Sequence, residues 1–287
     1  MSTLSYGTLA GVPDEALLAC FLEAFSGYAV PVRLTPEDFR ANNALRGYAP
    51  ELSAGAFEGG RPVGFVLNGR GAWRGLPAGY DLGTGVIPPR RGGGLAGRLA
   101  EASLALLRGA GLKLYLLEVL KDNAPALALY KKKGFEVTRE FHCYRAGRAG
   151  LRPAAAPPGF ELRELSPADL PAAAALRGWE PSWQNSDAAL RRWPGGLTLL
   201  GAFRDGGLAG YGVIKPGGDI PQLAVRPDFR RRGLGAALVA ALAASLPQER
   251  RHVTFINVDG ADAASRAALP ALGFAPFAEQ YEMLLPL

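Results

Sequence analysis

Two short segments rich in arginine and glycine carry the clearest chemical signal in this sequence. They are RGGGLA at residues 91–96 and RRRGLG at residues 230–235, and both follow the pattern Arg-x-x-Gly-x-Gly/Ala. Glycines let the backbone approach a phosphate closely, and a helix that begins at such a turn adds unpaired N–H groups and partial positive charge. We therefore predict that each turn binds a pyrophosphate. A single copy would be explained equally well as a glycine-rich turn with solvated arginines.

The two segments belong to a longer internal repeat. GVIPPRRGGGLAGRL at residues 85–99 aligns with AVRPDFRRRGLGAAL at residues 224–238, an offset of 139 (224 minus 85). The same offset places KKGF at 132–135 on ALGF at 271–274 with no gap. Further upstream, GAFEGGRPVGF at 55–65 aligns with GAFRDGGLAGY 146 positions later. The chain is therefore predicted to be a duplicated domain that carries the anion-binding turn twice.

In each copy the turn lies between a predicted strand and a predicted helix. In the first copy, YDLGTGVI predicts the strand and GGLAGRLAEASLALLRGAG the helix, and the strand LKLYLLEVL and the helix APALALYKKKG follow. Pro, Ala and Gly cluster in AGRAGLRPAAAPPGF, where no periodicity survives, so we expect the copies to join there. We predict an α+β (mixed α/β) fold with domains at 1–147 and 159–287 and a linker at 148–158.

The turn and the elements around it resemble those of the GNAT superfamily of acyl-CoA-dependent N-acetyltransferases. In that superfamily the strand before the turn splays from its neighbour, the pantetheine lies in the gap, and the turn binds the pyrophosphate of CoA. The resemblance covers nearly the whole chain and implies two tandem GNAT domains, each a mixed, mostly antiparallel sheet flanked by helices, with acetyl-CoA as cofactor. The cofactor contacts that it implies are Val86, Arg91, Gly92, Gly93, Gly94, Leu95 and Ala96 in the first copy, and Val225, Arg230, Arg231, Arg232, Gly233, Leu234 and Gly235 in the second.

A second stretch of the first copy, LEVLKDNAPALALYKKKGF at residues 117–135, resembles the ribosomal-protein alanine acetyltransferases of the same superfamily. Position by position, the resemblance implies that Glu118 is the general base and that Tyr130 protonates the departing thiolate. It also implies that Asn123 contacts the cofactor. We predict that this copy is the catalytic one.

The chemistry of acetyl transfer needs groups of this kind. A free alkyl amine has a pKa of about 10.4, so a base must remove its proton near neutral pH. A carboxylate at the end of a buried strand suits that role, and a backbone N–H near Val86 could stabilise the oxyanion that forms on the thioester. Two structural alternatives stay open, in which Glu118 faces solvent and Tyr130 packs in the core.

The second copy lacks the proton-transfer groups. At the offset of 139, Glu118 becomes Asn257 and Tyr130 becomes Leu269, while Asn123 becomes Asp262. Asparagine cannot act as a base and leucine cannot act as an acid. We therefore predict that the second copy is degenerate in its catalytic residues, although its turn could still bind CoA.

The acceptor is less well defined. In this fold the early helices and the strand residues that face the cleft form the acceptor pocket, which suggests Phe25, Tyr28, Tyr80 and Asp81 as substrate contacts. Asp81 could hold an amine, and a capping or sheet-ladder role is equally consistent with its position. We predict direct transfer from acetyl-CoA to a primary amine of a small molecule or peptide; a non-catalytic acyl-CoA sensor or scaffold is the alternative.

Composition limits the remaining classes of protein. The chain has 287 residues, 48% of them hydrophobic and 20% charged, which is typical of a folded protein. Its net charge of +6 suits an anionic cofactor, and the arginines form no nucleic-acid-binding motif. The two cysteines and two histidines form no cluster with the spacing of metal ligands. We expect a cytoplasmic monomer or homodimer with no metal, no nucleic-acid partner and no membrane association.

Overall fold

The computed structural model describes residues 4–27 and 34–287, and the chain forms two compact units. The first unit comprises Met1–Thr138 together with Glu282–Leu287, and the second comprises Arg139–Tyr281. A compact unit is defined by its contacts and a duplicated segment by its sequence, so the two need not end at the same residues. The domain limits expected from the sequence therefore stay a prediction.

In the described part of the chain, the first unit contains five complete strands and four α-helices, together with the ends of two further strands. The strands are β1 (Leu4–Thr8), β2 (Ala54–Glu58), β3 (Arg61–Trp73), β4 (Leu76–Val86) and β5 (Leu114–Leu120). The helices are α1 (Asp14–Ala24), α2 (Pro36–Arg46), α3 (Leu95–Gly109) and α4 (Ala124–Lys132). The last four along the chain, β4, α3, β5 and α4, follow the order predicted from the sequence.

The first four strands of the first unit form an antiparallel sheet, and the fifth joins it in parallel. The strands β1, β2, β3 and β4 pair in that order with antiparallel registers, and β5 pairs with β4 in parallel. In the β3–β4 ladder, Leu67 faces Gly83 and the next residue, Asn68, faces Asp81. Leu82 is therefore an extra residue in β4, and this bulge re-aims the side chains on either side of it.

Glycines on β4 let helix α1 lie close to the sheet. A Cβ added at Gly85 would approach Cζ of Phe65 to 2.6 Å and Cβ of Ala24 to 2.9 Å, and one at Gly83 would lie 3.2 Å from Phe21. Only a residue without a Cβ permits this contact. The approach brings the C-terminal end of α1 beside the end of β4, where the first arginine–glycine turn begins.

Local sequence signals explain where several helices begin. Thr35 and Asp38 form a capping box at the start of α2, and Gly47 ends that helix in the left-handed conformation. Ser166 and Asp169 form the same box in the second unit. A 3-10 turn follows this box and precedes the short helix Leu170–Ala174.

The second unit repeats the same elements. Its strands are β6 (Glu136–Gly147, from Arg139 onward), β7 (Glu161–Glu164), β8 (Thr198–Arg204), β9 (Gly207–Ile214), β10 (Gln222–Val225), β11 (His252–Asp259) and β12 (Ala275–Pro286, up to Tyr281). Its helices are α5 (Leu170–Ala174), α6 (Asp187–Arg192), α7 (Leu234–Ala244) and α8 (Ala263–Ala271). The strands β10, β9, β8 and β7 form one antiparallel sheet in that order, and β11 pairs antiparallel with β6.

The duplication is visible in the positions of the elements. Helix α3 begins at Leu95 and α7 at Leu234, and α4 begins at Ala124 and α8 at Ala263, so both pairs differ by 139 (234 minus 95; 263 minus 124). The mixed, mostly antiparallel sheets with flanking helices confirm the predicted fold class. Among the residues that the structure describes, no helix has the length and apolar character needed to cross a bilayer.

Candidate active site

A cleft of about 500 Å³ opens in the first unit where β4 and β5 separate. The parallel pairing of these strands ends at Tyr80 and Leu116, although β4 continues to Val86 and β5 to Leu120. The β4 residues that line the cleft, Thr84, Gly85 and Val86, lie beyond that pairing. The lining of the cleft includes Ala24, Phe25, Thr84, Gly85, Val86, Arg91, Gly92, Gly94, Leu95, Ala96, Asn123, Ala126, Leu129 and Tyr130.

The first arginine–glycine turn forms one end of this cleft. Gly92 and Gly94 have left-handed backbone angles, with φ of 79° and 73°, and Gly94 is the N-cap of α3. The guanidinium of Arg91 braces the turn, because Nε donates to the carbonyl oxygen of Val86 (3.1 Å) and Nη2 donates to that of Ala24 (2.6 Å). The turn thus directs the N-terminal end of α3, with its partial positive charge, toward the cleft.

The second unit holds its turn in the same backbone shape. Gly233 is the N-cap of α7 with φ of 85°, and Arg231 has φ of 64° at the position of Gly92. Nε of Arg230 donates to the carbonyl oxygen of Val225 at 3.0 Å, as Arg91 does to Val86. A left-handed arginine is strained in a way that glycine is not. Anion binding stays a prediction at both turns.

Tyr130 lies on α4 and lines the cleft. Its hydroxyl donates to Oδ2 of Asp81 at 3.1 Å, a contact between residues that are 49 positions apart. The ring packs edge-on against Phe135 with centroids 5.6 Å apart, which fixes its orientation. Tyr130 therefore combines a packed ring with a hydroxyl bonded to Asp81, and it lines the cleft.

Asp81 is buried, with 7% of its surface exposed. Besides Tyr130, the hydroxyl of Thr84 donates to Oδ2 (2.7 Å) and the backbone N–H of Gly83 donates to Oδ1 (2.8 Å). Burial raises the pKa of Asp81 from 3.8 to about 6, because the charged form loses its hydration. The three donors oppose that shift, since hydrogen bonds to the carboxylate stabilise its charge.

Glu118 and Tyr80 form a second carboxylate–phenol pair. Glu118 lies on β5, and the hydroxyl of Tyr80 donates to its Oε2 at 2.8 Å. Burial first, and then the charge of Glu118, raises the pKa of Tyr80 well above its usual value. Tyr80 and Asp81 are neighbours on one strand, so their side chains leave opposite faces of β4. The two pairs therefore lie on different sides of the strand that borders the cleft.

The remaining residues predicted for the first site have the following places. Asn123 lines the cleft and caps α4, with its side-chain oxygen accepting from the N–H of Ala126 at 3.3 Å. Phe25 lines the cleft, whereas Tyr80 and Asp81 are buried behind its lining. Tyr28 lies outside the described residues. The substrate and cofactor contacts proposed for these side chains stay predictions.

The counterparts of the proton-transfer groups in the second unit have structural partners. Asn257, at the position of Glu118, donates to Oγ of Ser182 (3.2 Å) and accepts from Nε2 of Gln280 (2.9 Å). It also has φ of 60°, where the β11–β6 register shifts, and asparagine tolerates that conformation better than most residues. Asn257 therefore holds a bulge in place.

Leu269 and Ile220 stand at the positions of Tyr130 and Asp81 (269 minus 130 and 220 minus 81 both give 139). Each is 1% exposed, and both pack in the same hydrophobic cluster of the second unit. Asp262, at the position of Asn123, caps α8 by accepting from the N–H of Ser265 at 3.1 Å. The helix cap is thus kept in both copies, while the two groups of the Tyr130–Asp81 pair are apolar in the second.

Sequence reasoning did not identify Thr84 or the contact between Asp81 and Tyr130. The signal was present in YDLGTG, where polar residues alternate with glycines on a strand that otherwise reads as buried. The bulge at Leu82 hides the pattern, because it shifts the alternation of faces by one residue.

Comparisons with known proteins agree with this fold, which is that of an acetyltransferase of the GNAT class. The model of the acetyltransferase (GNAT) family matches residues 15–135 and again residues 161–274, and the chain belongs to this family. The two matches confirm the predicted tandem arrangement.

Named relatives match one part of the chain. A mycothiol acetyltransferase of Catenulispora acidiphila is 33% identical over 128 residues, which are 44% of this chain and 41% of the relative. N-alpha-acetyltransferase 30 of Schizosaccharomyces pombe is 32% identical over 105 residues, which are 36% of this chain and 70% of the relative. The chain therefore spans less than half the length of the mycothiol acetyltransferase that it matches.

Solved structures match over the whole length. A tandem GNAT protein from the clavulanic acid biosynthesis pathway covers 99% of this chain and 98% of its own, with a TM-score of 0.70 and 20% identity. A GCN5-related N-acetyltransferase from Sphaerobacter thermophilus has a TM-score of 0.71 at 17% identity, covering 99% of this chain and 95% of its own. At these identities the likeness concerns the fold alone.

Proposed function

We propose that the protein transfers the acetyl group of acetyl-CoA directly to a primary amine of a small molecule or peptide, and that it does so in the cleft of the first unit. One observation carries this proposal: a single cleft is lined both by the arginine–glycine turn and by Tyr130. The family membership of both halves supports it.

The residues of the cleft fit an acyl-CoA. A Cβ added at Gly92 or Gly93 would meet no atom within 4 Å, so the space in front of the turn is open to a pyrophosphate. The first turn of α3 offers N–H groups to that anion. Thr84, Gly85 and Val86 line the cleft beyond the pairing of β4 with β5, so their backbone offers groups to an extended pantetheine. Bound acetyl-CoA would supply the activated acetyl thioester.

The side chains around the cleft divide the proton transfers between them. Glu118 is the base that accepts a proton from the incoming ammonium group, because at a pKa of about 10.4 an alkyl amine is protonated near neutral pH. Tyr130 delivers a proton to the departing sulfur. A backbone N–H near Val86 stabilises the oxyanion.

A smaller pocket of about 200 Å³ in the first unit is a candidate for the rest of the acceptor. Phe21, Phe39 and Leu82 give it an apolar wall, and Asn42 and Arg46 give it polar groups. Arg46 also lowers the pKa of Tyr80 electrostatically, which places it near the Tyr80–Glu118 pair. An acceptor amine at Glu118 could therefore extend into this pocket.

The second unit has a supporting role in this proposal. Its turn keeps the backbone shape that suits a pyrophosphate, but Asn257 and Leu269 cannot exchange protons. The second unit therefore binds CoA, if at all, without turning it over.

The test is a transfer assay with acetyl-CoA and a panel of primary amines: peptides with free α-amino groups, amino sugars and arylalkylamines. We expect a new acetylamide by mass spectrometry and one equivalent of free thiol. Binding of acetyl-CoA with no product from any amine would favour the sensor or scaffold over the enzyme.

A further inference from the structure

The hydroxyl of Tyr130 has its single hydrogen directed at Asp81. A phenol has one O–H donor, and its remaining capacity consists of oxygen lone pairs. Tyr130 also lines the cleft, so a substrate group that meets its oxygen in this arrangement would have to donate to it. If the phenol gave its own hydrogen to the sulfur, it would break the bond to Asp81 and be left as a phenolate, unless it received another proton.

We infer that Asp81 is a proton store behind Tyr130, through which the surplus proton of the amine reaches the departing sulfur. This inference rests on the proposed acetyl transfer. As the amine bonds to the acetyl carbon, one N–H bond breaks and its proton moves to the Tyr130 oxygen, while the hydrogen of Tyr130 moves to Asp81. When the carbon–sulfur bond breaks, the proton of Tyr130 forms the S–H bond and Asp81 returns its own to Tyr130.

For the neutral amine these proton transfers balance. One N–H bond is lost and one S–H bond is gained, and Tyr130 and Asp81 end as they began. Asp81 acts only through Tyr130, so it is a positioning residue rather than one that touches substrate. Glu118 has a separate task, because it takes the first proton from the ammonium group before the amine attacks and then releases that proton to solvent.

The surroundings of Asp81 suit a store. Its carboxylate already accepts from Thr84, Gly83 and Tyr130, so it is held in one place. With a pKa of about 6, it is ionised and ready to accept at neutral pH, yet more basic than an ordinary aspartate. The titratable and charged groups that act on it directly or through a neighbour are Tyr80, Tyr115, Tyr130, Glu118 and Arg46.

The second unit lacks both halves of this device together. Ile220 and Leu269 replace Asp81 and Tyr130, and both are buried in one apolar cluster. A buried carboxylate without a donor would be unfavourable there. The joint replacement is expected if the two residues serve one purpose.

The first test needs no substrate. In protein labelled with [¹³C]aspartate, the carboxyl signal that disappears in Asp81→Asn should titrate with a pKa near 6. Thr84→Val removes a hydrogen bond that lowers this pKa, so it should shift the titration upward by on the order of one pH unit. Thr138→Val is the matched control, because it removes a hydroxyl that donates to Glu282 at 2.8 Å in the same unit. It should leave the Asp81 signal unchanged.

The second test is the single-turnover rate between pH 5 and 9 with saturating acetyl-CoA and the best amine of the panel. The wild-type rate should fall as pH drops through about 6, because Asp81 is then already protonated. Thr84→Val should move this limb upward, and Thr138→Val should not. Asp81→Asn should lose the limb and about 100-fold in rate.

The double variant Asp81→Asn/Tyr130→Phe should be no slower than Tyr130→Phe alone, because the store works only through the phenol. An unchanged pH profile in Asp81→Asn, or additive losses in the double variant, would overturn the proton store while leaving acetyl transfer intact. Failure of the wild type to acetylate any amine would instead overturn the proposed function.

Discussion

The two arginine–glycine turns and the strands around them have kept the same backbone while their side chains have diverged. The arginine braces at Arg91 and Arg230 make the same bond to the fifth residue before them, at 3.1 and 3.0 Å. Around the first turn a carboxylate–phenol pair borders the cleft, whereas the corresponding positions at the second are core residues. The difference separates holding an anion, which backbone geometry can do, from moving protons, which needs particular side chains.

Tyr130→Phe should have the largest effect on the activity assigned to the first unit. We expect a loss in turnover of roughly 10³-fold with little change in acetyl-CoA affinity, because only the proton-delivering hydroxyl is removed. The assay is the steady-state rate of thiol release, with the dissociation constant from calorimetry.

The matched change in the second unit is Leu269→Ala. It should lower the free energy of unfolding by about 2–5 kcal/mol through a core cavity, and turnover should be unchanged. Equal losses of turnover in the two variants, measured well below the melting temperature, would contradict the assignment of chemistry to the first unit.

Glu118→Gln should have the next largest effect. We expect a loss of about 100-fold in kcat/KM with an acceptor that is protonated at the assay pH, because the variant cannot take its proton. An acceptor amine of low pKa needs no such base and should recover much of the lost rate. A loss of the same size with both amines would show that Glu118 is structural.

Asp81→Asn should raise stability while it lowers activity. The folded state raises the pKa of Asp81 from 3.8 to about 6, so ionisation at neutral pH weakens folding. The wild type therefore loses stability as pH rises from about 4 to 6, and the variant does not. We expect the free energy of unfolding of the variant to exceed that of the wild type by roughly 1–2 kcal/mol at pH 7.5 and by nothing near pH 4. Chemical denaturation at both pH values measures this difference. A variant that is less stable than the wild type at pH 7.5 would contradict the destabilising effect assigned to the ionised Asp81.

Gly94→Ala and Gly233→Ala should give the smallest and most closely matched pair of effects. Both glycines have left-handed backbone angles, where alanine is strained by roughly 1 kcal/mol. Gly94→Ala should weaken acetyl-CoA binding in the first cleft about fivefold as its turn relaxes. Gly233→Ala should leave that affinity unchanged. Calorimetry measures both affinities, and an equal weakening in the two variants would contradict the assignment of acetyl-CoA binding to the first cleft.

The sequence was sufficient for features that depend on neighbouring residues. Capping boxes such as those at Thr35 and Ser166 depend only on two residues three positions apart. The two turns follow from a repeat that keeps its register at a fixed offset. These signals are local, so they survive without knowledge of the tertiary fold, and the family membership of both halves agrees with them.

The features that the sequence did not reveal depend on distant contacts. Asp81, beside the bulge at Leu82 of β4, meets Tyr130 of α4 through a contact between residues 49 positions apart. The burial that shifts the pKa of Asp81 likewise comes from elements far along the chain. Asp81 was therefore open between an amine contact and a capping role until its partners were placed.

A crystal structure of the protein grown with CoA tests most directly whether the cleft of the first unit holds the cofactor. We expect CoA in the cleft of the first unit, with its pyrophosphate at Gly92–Gly94 and its sulfur beside the hydroxyl of Tyr130. Density for CoA only at the turn of Arg230, with the cleft beside Arg91 closed, would show that the first unit does not hold the cofactor.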